Sequence, residues 1–372
     1  MSSDSETEVE VNNLEDETIV NKYKMAAEIV QKILKELITK CQPGVNILEM
    51  CNFGDSRINE EAAKIFKKEK EMKKGCAYPT CISKNNIVSN FCPEQSTETF
   101  EDGDLVKIDL GVYIDGYAVV AGHTYVIGAT KENKVTGRKA DVILAAYNCA
   151  EVALRLFKPG KDSKGVTEPL INTASDFNCK VLENCVAYGM EKNIYENEKT
   201  FMINPSEDLK KSEKVDFDVN QVWTIDIAVS TGDAKVKERE IKSTVFKRCI
   251  ADKKYQLKLK ASRQFYSDVC NKFLNYPFTL RSFHDVTKAK IGVLECAKHG
   301  LMESFPIMYE KDGEFVAHFK FTVLMMANGP MKLTGLAFEP SLYQSTLKIQ
   351  NSAVKSLLSE PVKTKKKVVE TN

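Results

Sequence analysis

No stretch of this 372-residue chain approaches the roughly 18 to 20 consecutive apolar residues needed to span a bilayer. Its first residues are acidic and polar, where a secretory signal would be basic and then apolar. Both absences lead us to expect an intracellular protein with no membrane partner. Eleven cysteines are present, but the number is odd and no two form a C-x-x-C pair, so buried reduced thiols are expected in place of a disulfide framework. Histidine is scarce: His123, His284, His299 and His318 are the only ones, and none has the spacing of a helical two-ligand zinc site. Each reads as a surface or satisfied core side chain. A phosphate-binding glycine loop is missing as well, which argues against nucleotide hydrolysis. Cys185 has no histidine near it in sequence to activate it as a nucleophile, so packing is its expected role.

Charge is plentiful but unevenly placed. The 53 Lys and Arg nearly cancel the 52 Asp and Glu, yet Met1 to Glu17 carries Asp4, Glu6, Glu8, Glu10, Glu15, Asp16 and Glu17 with no base. That segment, 1–17, reads as a solvated, mobile acidic arm. Lys247 to Lys298 is the opposite, with twelve Lys or Arg against Asp252, Asp268, Asp285 and Glu295, a local excess of +8. Tyr255, Phe265 and Tyr266 lie among these cations, and the combination points to nucleic acid, with Lys253, Lys254, Lys258, Lys260 and Arg263 on phosphates. A second cluster, Lys64, Lys67, Lys68, Lys70, Lys73 and Lys74, is diluted only by Glu69 and Glu71. Pairing along a helix would explain it equally well, and Lys67 and Lys68 are its candidate assisting contacts. Residues 361–372 form a short lysine-rich tail with Lys363, Lys365, Lys366 and Lys367.

Periodicity divides the rest. Val20, Tyr23, Ala27, Val30, Leu34 and Leu37 recur at helical spacing between Glu17 and Lys40, and Pro43–Gly44 stops that helix. A second helix is expected from about Val45 to Phe66, with the lysine cluster as its polar continuation up to Gly75. Leu105 to Gly128 alternates about an Asp115–Gly116 turn, a β-hairpin, and a long helix follows from about Thr136 to Phe157. A shorter helix near Thr167 to Phe177 and strands around Phe201, Val222–Val229 and Phe305–Met326 complete the pattern. Two hairpin-plus-helix blocks fit two related α+β halves within 18–360. The basic stretch of about 246–300 looks inserted into the second half, with helices near Ser262–Leu274 and Asp285–His299. It is too small to do without the larger core.

Several long strings carry a family resemblance: Lys22–Val30, Lys64–Gly75, Glu101–Val112, Val135–Leu156, Pro277–Phe283, Met308–Phe315 and Phe319–Pro330. They resemble the proliferation-associated, ErbB-receptor-binding branch of the type II methionine aminopeptidase superfamily, across nearly the whole chain. The resemblance implies an α+β pita-bread fold, two pseudo-symmetric halves around a cleft, with a helical type II insert. It also implies where a dinuclear metal site would lie. Active members use two Asp, one His and two Glu, since a bridged metal pair lowers the pKa of a water and steadies the attacked carbonyl. At those positions this chain has Asp109, Val120, Cys185, Asp226 and Lys320, and Asn90 stands where the family has a substrate-facing histidine. Val120 and Lys320 remove two anionic ligands, so no metal cofactor is expected, and Lys320 is expected to pair with Asp109, Asp226 or both.

The resemblance therefore implies a non-catalytic relative that binds ribosomal RNA on the large ribosomal subunit near the tunnel exit. Regulation of translation and growth would follow, in the cytoplasm and also in the nucleus or nucleolus, with other RNA or DNA and unidentified proteins as further partners. A residual metal-dependent aminopeptidase using Asp109 and Asp226 is one alternative. A nuclear DNA- or RNA-binding transcriptional regulator is the other, although Val354–Leu358 lacks the L-x-x-L-L box of corepressor members.

Overall fold

The computed structural model describes residues 13–209, 213–239, 241–249 and 255–362. The first helix, α1 (Glu17–Lys40), starts where Asp16 Oδ1 accepts the Thr18 N–H at 2.7 Å, and its apolar stripe from Val20 to Leu37 is buried. Leu14 is buried too, and its N–H donates to Asn220 Oδ1 at 3.2 Å. The end of the expected acidic arm is thus anchored, and Met1–Asn12 lie outside the described residues. Helix α2 (Ile47–Lys64) is capped by Asn46, which accepts from the Leu48 and Glu49 N–H groups. It ends before the lysine cluster, contrary to the expected helical continuation. Ile65 is extended and Phe66 has φ 45°, and the Lys74 ammonium binds the carbonyls of Ile65 and Phe66. Lys67 and Lys68 consequently sit in an exposed turn.

A nine-stranded sheet carries the fold. Its strands in chain order are β1 (Lys74–Lys84), β2 (Leu105–Ile114), β3 (Tyr117–Val126), β4 (Lys180–Val181), β5 (Val186–Met190), β6 (Thr200–Met202), β7 (Val222–Ser230), β8 (Val316–Met326) and β9 (Gly329–Lys332). The spatial order is β1-β2-β3-β8-β7-β5-β6, with β9 on β8 and β4 on β7. The β2–β3 hairpin turns at Asp115 (φ 53°) and Gly116 (φ 83°), the two left-handed residues of a tight turn that matches strand twist. Helices α1 and α2 pack on β1–β3 around one apolar core. Helix α3 (Gly137–Leu156) covers β7 and β8 around another, with α4 (Thr167–Ser175) packed on α3 and β4. The halves meet where β3 pairs with β8.

The insert has its own small core. Strands at Val245–Arg248, Phe278–Thr279 and Met302–Phe305 form a three-stranded sheet under helices α5 (Lys260–Lys272) and α6 (Val286–Lys298). Phe246, Phe265, Phe278 and Phe283 fill the space between them. Gly292 lets α6 approach α5 closely, because a Cβ there would fall 2.5 Å from the Phe265 side chain. Lys253 and Lys254 lie outside the described residues.

Candidate functional site in the cleft between the halves

Strand register places Asp109 (β2), Gly122 (β3), Lys320 (β8) and Asp226 (β7) in one row across four neighbouring strands. The Lys320 ammonium is 3.0 Å from Asp109 Oδ1 and 2.8 Å from Asp226 Oδ2, pairing with both acids at once. Gly122 makes that reach possible. A Cβ at 122 would stand 2.7 Å from Asp109 Oδ1 and 2.8 Å from Lys320 Cβ, so any side chain there would wedge the pair apart. Burial by itself would raise the Asp109 pKa, but His318 and Lys320 outweigh it and hold the carboxyl well below the usual 3.8. Burial likewise opposes the Lys320 ammonium, yet Asp109 and Asp226 raise its pKa well above 10.5. Both side chains are charged at neutral pH.

Sequence reasoning missed His318. It precedes Lys320 by two residues on β8 and therefore shares its face of the sheet. Its Nε2 is 3.2 Å from Asp109 Oδ2 and its Nδ1 is 3.6 Å from Asp226 Oδ1. Neither contact is a hydrogen bond, and Asp109 Oδ2, Asp226 Oδ1 and His318 Nε2 have no hydrogen-bond partner among the described residues. The signal was available: strand alternation puts 318 wherever 320 points. What hid it was the expectation of an ordinary surface or core histidine.

The other candidate positions have their own occupations. Val120 lies two rows from Asp109, opposite Gly111, buried against Thr322, whose Oγ1 accepts its N–H at 2.9 Å, while its carbonyl accepts from Thr334 Oγ1 at 2.6 Å. Asn90, with φ 66°, accepts from the Tyr78 hydroxyl at 2.5 Å and donates to the Pro306 carbonyl at 2.8 Å. It thereby fixes the Tyr78 ring, whose centroid is 5.3 Å from the Lys320 ammonium. Cys185 edges a cavity of about 360 Å³ that Asp226, His318, Ser89 and Lys235 also line. Burial, then Asp226, pushes its thiol up to about 12, which leaves no thiolate for nucleophilic work.

The donor set does not fit a dinuclear metal site. Two carboxylates remain, the ammonium of Lys320 stands between them, and a valine methyl replaces the bridging oxygen atoms. Among the described residues no group of three or more His, Cys, Asp or Glu is arranged to hold a metal ion.

On the insert, the charge balance is less lopsided than the sequence window suggested. Lys247 pairs with Glu196 at 3.0 Å and Glu303 at 2.8 Å, Arg281 with Asp55 at 2.7 Å, and Lys290 with Glu94 at 2.5 Å. These four acids come from outside the Lys247–Lys298 window and halve its excess of eight. Lys288 pairs within it, with Asp285. Arg263 Nη1 donates to the carbonyls of Leu257 and Lys258 at 2.9 and 2.8 Å, so it shapes the loop before α5. Lys258, Lys260, Lys272 and Lys298 are exposed with no carboxylate partner among the described residues, and the same holds for Lys67 and Lys68.

A two-lobed sheet enclosing a cleft with remnants of a metal-ligand set defines a class, and the chain belongs to metallopeptidase family M24, whose model matches residues 21–246. Within that family it is similar to the ERBB-3 binding protein 1 of Solanum tuberosum, 42% identical over 98% of this chain and 93% of that protein. It is also similar to the Curved DNA-binding protein of Schizosaccharomyces pombe, 34% identical over 97% of this chain and 95% of the other. A solved structure of a thermophilic Arx1 superposes with a TM-score of 0.87 at 30% identity, covering 93% of this chain and 99% of that one. The resemblance to the proliferation-associated branch and the pita-bread fold expected from it both hold.

Proposed function

We propose that this chain is a non-catalytic aminopeptidase-like protein that binds ribosomal RNA on the large ribosomal subunit near the tunnel exit and regulates translation and growth. The observation that carries the non-catalytic half is the Lys320 ammonium within 3.0 Å of both surviving ligand carboxylates. A divalent cation would have to displace a buried, fully charged partner, and only two anionic ligands would then receive it. The RNA half is supported by Lys258 and Lys260, exposed and without a carboxylate partner among the described residues, joined in the sequence by Lys253 and Lys254. The name of the fission-yeast relative refers to DNA binding, which is in keeping with a nucleic-acid surface in this branch. The protein would work in the cytoplasm, with a nuclear or nucleolar pool and with protein partners besides.

Two measurements test this. Purified protein should hold no stoichiometric transition metal and release no methionine from Met-initiated peptides; cobalt- or manganese-dependent release above a heat-killed control would refute the first half. Ribosome cosedimentation should weaken by very roughly two orders of magnitude between 50 and 200 mM salt if about five phosphates are contacted. Binding that ignores salt would remove the case for rRNA.

A further inference from the structure

We propose that the outer face of α6, on the insert, docks an acidic amphipathic helix of a partner protein. This goes beyond the RNA reading. It shares Lys258 and Lys260 with that reading, so the two partners compete for them, but its anchor is apolar and it can fail separately.

One face of α6 belongs to the insert's core: Ala289, Gly292, Val293 and Cys296 are buried. Thr287, Ile291, Leu294 and Lys298 follow one another at spacings of four, three and four, so in an α-helix they form a stripe on the opposite face. Two large apolar side chains occupy the middle of that stripe, Ile291 at 44% exposure and Leu294 at 70%. A third, Leu259, is 51% exposed. It lies beside them, because the Lys258 N–H donates to Glu295 Oε1 at 2.8 Å and so brings the start of α5 up to the last turns of α6. Scattered exposed leucines are ordinary on a protein surface. These are not scattered: seven large apolar side chains are exposed among the described residues, and three of them gather here.

The rim of the patch fixes the chemistry of its occupant. Lys258 and Lys260 flank Leu259 in sequence, and Lys298 closes the stripe on α6. All three are exposed and have no carboxylate partner among the described residues. Glu295, the acid nearest the patch, accepts from the Lys258 N–H. A docked surface must therefore bring apolar side chains for the centre and carboxylates for the edge. An amphipathic helix with acidic flanks does both, since anchors at three- and four-residue spacing meet Ile291, Leu294 and Leu259 while its Asp or Glu meet the lysines. A second copy of this chain would set lysine against lysine. RNA would satisfy the lysines but leave three apolar side chains against sugar and phosphate.

The test is a titration of the full chain, followed by NMR and fluorescence, with a synthetic helix of about 18 residues carrying leucine along one face and glutamate along its edges. Two control peptides have serine for the leucines or lysine for the glutamates. The acidic leucine helix should bind about tenfold or more tightly than either control, with the shift changes centred on α6. Leu294→Gln, at an exposed position where glutamine suits a helix, should weaken it by about tenfold while leaving the thermal midpoint in place. Lys258→Glu combined with Lys298→Glu should turn the preference towards the lysine-edged peptide. Affinity indifferent to Leu294→Gln, or no preference over the serine control, overturns the proposal. Leu294-dependent binding of anionic phospholipid vesicles in the absence of peptide binding overturns it in favour of a lipid surface, and a dimer that Leu294→Gln dissociates overturns it in favour of a second copy. Displacement of a short RNA by the bound peptide supports it. Salt-dependent RNA binding that persists when no peptide binds would overturn this docking face and leave the RNA reading standing.

Discussion

The cleft and the insert both concentrate lysine, and they handle it in opposite ways. In the cleft one ammonium is buried in a single cross-strand row and is shared by two carboxylates of the same fold. On the insert some cations borrow acids from distant segments, as Lys247 does from Glu196, while Lys258 and Lys260 face solvent with none among the described residues. A buried charge must be matched by the chain that buries it, because desolvation is too unfavourable otherwise. An exposed charge is already solvated and is available to an outside anion. The ammonium in the cleft is held inside the fold, and those on the insert's surface are left to solvent.

The largest break in that comparison is Lys320→Met. It leaves Asp109 buried with no ammonium beside it, at a cost of roughly 3 to 5 kcal/mol. The pH dependence should change with it. In the natural protein the depressed Asp109 pKa contributes stability that is present above pH 3.8 and lost as pH falls through its lower folded value. The raised Lys320 pKa contributes stability that is present below pH 10.5 and lost only as pH rises through its folded value. Between these limits the pair adds no slope. Without Lys320 the variant should gain stability on acidification, as its orphan carboxyl takes a proton. A thermal midpoint that does not move at pH 7 would show that the two contacts near 3 Å carry no weight.

The two faces of the sheet sharpen the same contrast. His318 lies among acids on the cleft face, whereas His123 on β3 is buried against Phe319, ring centroids 5.4 Å apart, on the helical face. Burial, helped by Lys332, pushes the His123 pKa down to about 4. The unfolded chain protonates this group near 6.5 and the folded chain does not, so stability should rise with pH from about 4 to 6.5. The change amounts to roughly 3 kcal/mol from the linkage relation. His123→Phe should remove most of that slope in denaturant melts at pH 4.5 and 7. An unaltered slope would mean that water reaches the ring.

Much of this was legible in the sequence, and the gaps have physical reasons. The boundaries of α1 follow from its apolar spacing and the Pro43–Gly44 stop, and the β2–β3 hairpin from alternation around Asp115–Gly116. Pairing of Lys320 with an acid followed from counting ligand positions. Gly122 did not stand out, because its role arises from facing Asp109 and Lys320 on strands distant in sequence. The lysine turn after α2 was misread as helix, since nothing local predicts that Lys74 will bind the carbonyls of Ile65 and Phe66. The insert's window charge overstated the excess for the same reason: Asp55, Glu94 and Glu196 are far along the chain.

Arg263 stands between the two regimes. It is on the basic surface, yet its guanidinium is tied to two carbonyls of the preceding loop. Arg263→Ala should therefore lower stability by about 1 kcal/mol, as well as weakening nucleic-acid affinity. A loss of affinity with no loss of stability would return it to the simple phosphate contacts.

The smallest stability effect belongs to Lys258→Ala combined with Lys260→Ala, and it tests the comparison most directly. Neither ammonium has a carboxylate partner among the described residues, and both residues are exposed. Removing them should move stability by no more than about 0.5 kcal/mol, the usual range for surface changes without a special feature. Their value, if the surface is open for RNA, lies in counterion release. Each phosphate contact contributes about 0.7 to 0.9 to the slope of log affinity against log salt, so losing two should flatten that slope by roughly 1.5. Adding Lys253→Ala and Lys254→Ala should flatten it further. Because phosphate contacts position without reading sequence, the loss should be similar on ribosomes and on unrelated RNA of equal length. A double variant whose stability and salt slope both match the parent would show that these lysines are only solvated. RNA contact would then be sought at Lys67 and Lys68, which offer the same exposed, unpaired charge beside α2.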